Sequence, residues 1–133
     1  MAFSPQVGDT GRVTWTVERA HTADAMGNPG VLVFATPMML DLVEVACGAA
    51  LERGLPSDWV SLGTWVTLSH RRPTPLGMRV TAEATITAVD GPRVRFQVVV
   101  RDEVEVVGEA EHERYCLPRT QFEAMVEKKR NRT

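Results

Sequence analysis

From residue 12 to residue 18 the chain alternates strictly, with Val13, Trp15 and Val17 on one parity and Arg12, Thr14, Thr16 and Glu18 on the other. Period-two alternation is the mark of a strand with one buried face, and it predicts a strand over 12–18. Residues 21–30 (HTADAMGNPG) carry Asn, Pro and Gly and read as a loop, followed by a short apolar lead-in at 31–34. The period then lengthens. Met39, Leu42, Val43, Ala46, Ala49 and Ala50 recur at helical spacing. Thr36 is a capping type, Pro37 suits the first helical position, and Arg53-Gly54 supplies a stop. Met38, Leu40, Val45, Cys47 and Leu51 widen the apolar surface, and only Asp41 and Glu44 are charged between Met38 and Leu51. Such a helix is predicted to be enclosed on most sides.

Period two returns from Trp59 to Cys116 and predicts antiparallel strands. In the first, the parity assigns Val60, Leu62, Val66, Leu68 and His70 to one face. The connection RRPTPLG places Pro75 and Gly77 at positions i+1 and i+3 of a type I turn. Met78, Val80, Ala82, Ala84, Ile86 and Ala88 then alternate against Arg79, Thr81, Glu83, Thr85 and Thr87, and Asp90-Gly91 marks a hairpin. Val94, Phe96, Val98 and Val100 follow against Arg93, Arg95, Gln97 and Arg101. The last strand is read with Val104, Val106, Ala110 and His112 inward and Glu105, Glu109, Glu111 and Glu113 outward. A hairpin around Asp102-Glu103 sets Arg93 and Arg95 opposite or diagonal to those glutamates, where each pair contributes about 0.2–1 kcal/mol. That pattern describes a solvated sheet face. Thr120-Gln-Phe-Glu123 has the form of a capping box and opens a short helix that ends in the basic run 128–132.

One helix, apolar almost all round, followed by four or five one-faced antiparallel strands points to an α+β fold. The economical packing wraps the sheet around the helix as a central rod, the hotdog arrangement; an ordinary α+β sandwich satisfies the same pattern. A sheet around one helix leaves an open edge and part of the helix uncovered. Two copies pairing edge to edge cover both, so an isologous homodimer is expected.

Composition narrows the function classes. A chain of 133 residues fits a single domain over 1–133 and is long enough to bury a core without staples. Fifteen Lys and Arg against 17 Asp and Glu give a net charge of −2, which offers no basis for a nucleic-acid partner. Two cysteines are too few for a disulfide scaffold or a zinc ribbon, and no metal or cofactor is expected. The start MAFSPQVGDTG lacks the form of a signal peptide. The apolar stretch 31–51 is interrupted by Asp41 and Glu44 and does not read as a membrane span. A cytoplasmic, reducing location is the expectation.

Three polar residues fall where the pattern calls for apolar ones. Glu44 lies mid-helix, His70 ends a core-facing row, and Thr36 sits at the helix N-terminus, where free amides favour developing negative charge. A carboxylate, an imidazole and a hydroxyl are suitable parts for attack on an acyl carbon with an oxyanion held by amides. Each residue also has a plain structural reading. Asp41 and Glu44, three apart, form a wet stripe; a His at a strand end is commonly a hydrogen-bonded scaffold residue; and Thr36 as a cap contributes about 1 kcal/mol. His112 points inward by parity, with nothing else in the pattern converging on it, and Cys47 reads as a small apolar filler.

The blocks Phe34-Ala-Thr36-Pro37-Met-Met-Leu-Asp-Leu-Val-Glu44, Ser61-Leu-Gly63-Thr64 and His70-Arg-Arg-Pro-Thr74-Pro75-Leu-Gly77 come in an order and spacing that resemble the fluoroacetyl-CoA thioesterase family of hotdog proteins. The Asp90-Gly91 hairpin and His112-x-Arg114 also fit, so the resemblance spans roughly residues 13–122. It implies hydrolysis of a small or medium acyl-CoA, or of an acyl-carrier thioester, to the free acid. It implies a catalytic set on Thr36, Glu44 and His70, with substrate binding at Gly63 and Thr64 and a backbone role for Gly63 near the thioester. Arg71 and Arg72 are placed either to meet coenzyme A phosphates or as plain surface. One departure stands out. Members that detoxify fluoroacetate carry lid aromatics before the helix, whereas residues 25–30 here are AMGNPG. That points away from fluoroacetyl selectivity and toward another acyl group, such as a larger one, with Trp15, Trp59, Trp65 and Phe34 as candidate lining. Two rival functions fit the same fold: a non-catalytic acyl-thioester binding or sensing protein, and a hotdog enzyme of secondary metabolism with a different reaction. Thr36 and Glu44, eight residues apart, lie about 12 Å apart along one helix. The site is therefore expected to form either around an intervening thioester or with residues of a partner chain.

Overall fold

The computed structural model describes residues 2–132. Strand β1 (Thr10–Thr16) leads through two short 3-10 turns, Arg19–His21 and Ala23–Met26, into helix α1 (Thr36–Leu51). Four strands follow: β2 (Trp59–His70), β3 (Arg79–Asp90), β4 (Arg93–Asp102) and β5 (Val106–Pro118). Helix α2 (Arg119–Arg130) closes the chain. The strands form one antiparallel sheet in the order β1-β3-β4-β5-β2, with α1 packed on one face, chiefly over β1 and β3. This is the hotdog arrangement. No helix among the described residues is long and apolar enough to cross a membrane.

Tight packing of α1 on β1 depends on small residues. A Cβ at Gly11 would collide with the α1 backbone at Ala46 and Ala50, so helix and strand meet with almost nothing between them. Met39, Leu42, Val43, Ala46, Cys47 and Ala50 of α1 are buried against Val80, Ala82, Ala84 and Ile86 of β3 and Val94, Phe96, Val98 and Val100 of β4. Those two strands follow the predicted alternation except at Ala88, which a register shift after Ile86 leaves exposed. The β3–β4 hairpin turns at Gly91-Pro92, with Gly91 at φ +56, the left-handed value its first loop position requires.

Local expectations fail wherever the period is interrupted. Between Gly63 and Trp65 the β2–β5 register shifts by one residue, a bulge at Thr64. A one-residue slip reverses which face each side chain takes. Ser61 pairs with Cys116 and Gly63 with Arg114 before the bulge; Val66 pairs with His112 and Leu68 with Ala110 after it. Val60 and Leu62 therefore do not share a face with Val66, Leu68 and His70. A second shift, between Val100 and Arg101, moves the start of β5, so that Val107 is buried while Val104 is 75% exposed.

Three end signals also resolve differently. Ala35, not Thr36, caps α1, so Thr36 and Pro37 are its first two residues. The turn after β2 closes from Met78 N–H to Pro75 O at 3.1 Å with Gly77 at φ +93, placing glycine at i+2, as a type II turn requires, instead of i+3 of a type I turn. Helix α2 starts at Arg119 with Pro118 as its cap and no side-chain capping bond, so the Thr120–Glu123 pattern does not form a box. The expected enclosure of α1 is partial: Thr36, Pro37, Asp41 and Val45 are exposed along one stripe.

Candidate active site

Strand β2 carries both parts of the candidate site. At its C-terminal end the His70 ring is half-buried, and its Nδ1 lies 2.8 Å from Thr36 Oγ1 in the first turn of α1. Because Ala35 takes the capping position, the Thr36 hydroxyl is available for this contact. Burial pushes the His70 pKa down, opposed by a backbone hydrogen bond with Arg72. His70 is thus a neutral imidazole at pH 7, a form suited to accepting a proton.

Two turns further along α1, the half-buried Glu44 carboxylate reaches Gly63. A Cβ built on Gly63 would lie 3.5 Å from Glu44 Oε1 and 3.0 Å from His112 Cε1. A side chain at 63 would crowd the imidazole from β5 and touch the glutamate from α1, which favours glycine there. Glu44 makes no hydrogen bond among the described residues. Across the ladder from Gly63, Arg114 is held by three bonds: Nε to Ser61 Oγ at 2.9 Å, Nη2 to Ser61 O at 3.1 Å and Nη1 to His112 Nε2 at 3.3 Å. The His112 ring, 1% exposed, places Nδ1 2.8 Å from Trp65 O. Desolvation is the largest influence on His112 and lowers its pKa, and Arg114 adds to the lowering. The Trp65 carbonyl, Glu44 and Glu113 oppose it.

The remaining candidates sort by position. Thr64, in the bulge, turns its hydroxyl to the Glu113 carboxylate at 2.8 Å and carbonyl at 3.2 Å. Glu113 also takes Arg93 at 3.1 Å and Arg95 at 3.4 Å, so this hydroxyl belongs to the outer-face charge cluster, away from Glu44. Arg71 is paired with Glu109 at 2.9 Å and Arg72 with Glu105 at 3.9 Å. Cys47 is pushed up to about 12 and Cys116 to about 11 by burial, which removes both thiols as nucleophiles at neutral pH.

The structure brings Thr36 to His70, and Glu44 to Gly63, but keeps the two pairs apart. Gly63 and His70 lie seven positions apart on β2, about 20 Å at strand rise with the bulge taking up one residue, and Thr36 to Glu44 spans about 12 Å of helix. His112 and Arg114, which parity reasoning passed over as a convergence point, are the groups surrounding Glu44. Their signal lay in the pairing of a glycine on β2 with the His112-x-Arg114 run on β5, readable only once the bulge sets the register.

A family model described as fluoroacetyl-CoA-specific thioesterase matches residues 17–120. The fluoroacetyl-CoA thioesterase of Streptantibioticus cattleyicolor is 37% identical over 97 residues, covering 73% of this chain and 70% of that protein. The solved structure of a fluoroacetyl-CoA thioesterase superposes with a TM-score of 0.84 at 31% identity, over 95% of this chain and 98% of the other. A variant of that enzyme in complex with acetyl-CoA gives 0.85 at 31% identity, over 93% and 98%. A thioesterase superfamily member from Thermus thermophilus shares the fold at a TM-score of 0.89 and 24% identity, over 97% and 96%.

Proposed function

The chain belongs to the fluoroacetyl-CoA-specific thioesterase family, and from that premise and the geometry of β2 we propose how it acts. It is an acyl-CoA thioesterase, hydrolysing a thioester to a free acid and coenzyme A. The observation that carries the mechanism is the pair of contacts along β2: Thr36 to His70 at 2.8 Å, and Glu44 over Gly63. Glu44 acts as general base. It is half-buried and unbonded, and it takes a proton from the water that attacks the acyl carbon. The carbonyl oxygen becomes an oxyanion held by main-chain N–H groups at the Gly63–Thr64 bulge. Thr64 contributes through that backbone and not through its hydroxyl. Collapse breaks the C–S bond, and the thiolate of coenzyme A leaves. Neutral His70, oriented by Thr36, accepts and returns protons at the same centre.

The two pairs meet when a second copy is added. Strand β2 is an edge of the sheet, 12 residues long, and the exposed stripe of α1 holds Pro37, Asp41 and Val45. Long open edges are ordinarily covered. Antiparallel pairing of β2 with its two-fold mate runs the His70 end of one strand beside the Gly63 end of the other, so the working site is shared across a homodimer. The acyl group is not restricted to fluoroacetyl. Gly27 and Gly30, both at positive φ, stand in the lid segment, which holds no aromatic side chain. A location in the reducing cytoplasm accords with two buried free cysteines.

The test is thiol release from a panel of short, branched and aromatic acyl-CoAs and an acyl-carrier thioester. Wild type is expected to release thiol, and Glu44→Ala and His70→Ala to lose about 10²–10⁴-fold in kcat. Tight acyl-CoA binding without thiol release in wild type supports the sensing protein instead. Trapping of an acyl group on Glu44 by hydroxylamine would replace the general-base role with a nucleophilic one.

A further inference from the structure

We propose that His112 is a positioning residue of the active site: it fixes the guanidinium of Arg114, the strand partner of Gly63, through one defined tautomer and does not itself touch substrate. The proposal rests on the thioesterase reading above.

The hydrogen bonds assign the tautomer. The Trp65 carbonyl can only accept, so the 2.8 Å contact requires the proton on Nδ1. In the neutral ring Nε2 is then a bare acceptor, and Arg114 Nη1 donates to it at 3.3 Å. Both ring nitrogens are satisfied within the protein, and the ring is 1% exposed, packed at 6.0 Å on Phe96. A second proton on Nε2 would face the N–H of a permanent cation and break the contact with Arg114. The arrangement depends on the bulge at Thr64, which brings Trp65 O to the imidazole while keeping Val66 opposite His112.

The held group is Arg114. Three of its five N–H donors are spent on Ser61 and His112, and it has no carboxylate partner among the described residues. Glu44 likewise lacks a hydrogen-bond partner there. Here His112 and Ser61 hold the guanidinium, and neither it nor the Glu44 carboxylate is spent on an ion pair near Gly63, where the thioester is proposed to bind. The charged groups that act on His112 are Arg114 and Glu44, with Glu113 on the opposite face of β5; β2 and β4 contribute the uncharged Trp65 carbonyl and Phe96.

Two isosteres separate the contacts. In His112→Gln the amide oxygen takes the place of Nε2 and keeps an acceptor for Arg114. In His112→Asn the amide nitrogen takes the place of Nδ1 and keeps only the donor to Trp65 O. The experiment measures kcat and KM of both variants on the best acyl-CoA, their melting temperatures, and ¹⁵N NMR of the His112 ring and the Arg114 Nε–H in the wild-type protein without substrate. His112→Asn is expected to lose about 10–100-fold in kcat/KM, the size of one lost hydrogen bond to a charged group, and His112→Gln to recover most of it. NMR should show the Nδ1–H neutral tautomer, with the Arg114 Nε–H resonance lost when the ring protonates at low pH. Equal activity losses in both variants, tracking their melting temperatures, would reduce His112 to a scaffold residue. An Nε2–H tautomer would overturn the proposal outright. Should wild type hydrolyse no acyl-CoA, the functional reading fails, while the NMR result still decides whether His112 holds Arg114.

Discussion

A shift of one residue in the start of α1 decides what Thr36 does. Read from the sequence it is a helix cap; in the structure Ala35 takes that place and the Thr36 hydroxyl goes to His70. Thr36→Val, which keeps the shape and removes the hydroxyl, should therefore lower kcat by about 10–100-fold with little change in KM, and Thr36→Ser should stay near wild type. Steady-state kinetics on one acyl-CoA checks both. Two histidines also set the response to acid. Burial holds His70 and His112 below the ordinary imidazole value of 6.5. The folded state then binds fewer protons than the unfolded chain, so stability is fully present above about pH 6.5 and is lost as pH falls from there toward the folded-state values. Urea unfolding at pH 7.5, 6.5 and 5.5 should show a falling midpoint at constant slope; a midpoint that rises with acid contradicts this. Glu44 and His70 were visible in the sequence because each breaks an apolar pattern. Gly63 was visible only by family resemblance, since the imidazole and the glutamate that a side chain there would crowd lie on two other elements.

Strands β3 and β4 were legible almost residue by residue, because an uninterrupted period of two states which face is buried. β2 and β5 were not, because a bulge costs nothing in composition yet reverses the face of every residue beyond it. The misplaced start of β5 has a specific cause. Asp102 Oδ1 accepts from Val104 N–H at 2.8 Å and Glu105 N–H at 3.0 Å, winding residues 103–105 into a turn that throws Val104 into solvent. Its other oxygen accepts from the buried Thr74 hydroxyl at 2.9 Å, and Thr74 O in turn accepts from Phe34 N–H at 2.8 Å. One carboxylate thus ties the β4–β5 turn to the loop after His70 and to the segment before Thr36. Asp102→Ala should cost about 1–3 kcal/mol, since it leaves the Thr74 hydroxyl buried without a partner. Asp102→Asn should recover part of that in chemical denaturation.

For the whole molecule, the near-neutral charge and the ion pairs on the outer sheet face describe an ordinary exterior, and they say little about activity. What matters is that one chain holds its proposed catalytic groups as two separated pairs, each joining α1 to β2, the edge strand of the sheet. The sequence could state the separation along α1, about 12 Å, but not the direction in which each pair faces, which depends on the bulge and on the strand order. The proposed site is shared between two copies, and mixing two inactive variants tests this directly. Glu44→Ala and His70→Ala proteins are unfolded together, refolded at equal concentration and assayed for thiol release. A site shared across the two-fold gives each mixed dimer one intact site, so activity should return to about one quarter of wild type, half the dimers being mixed and one of their two sites complete. No recovery from dimers shown to have exchanged would contradict it.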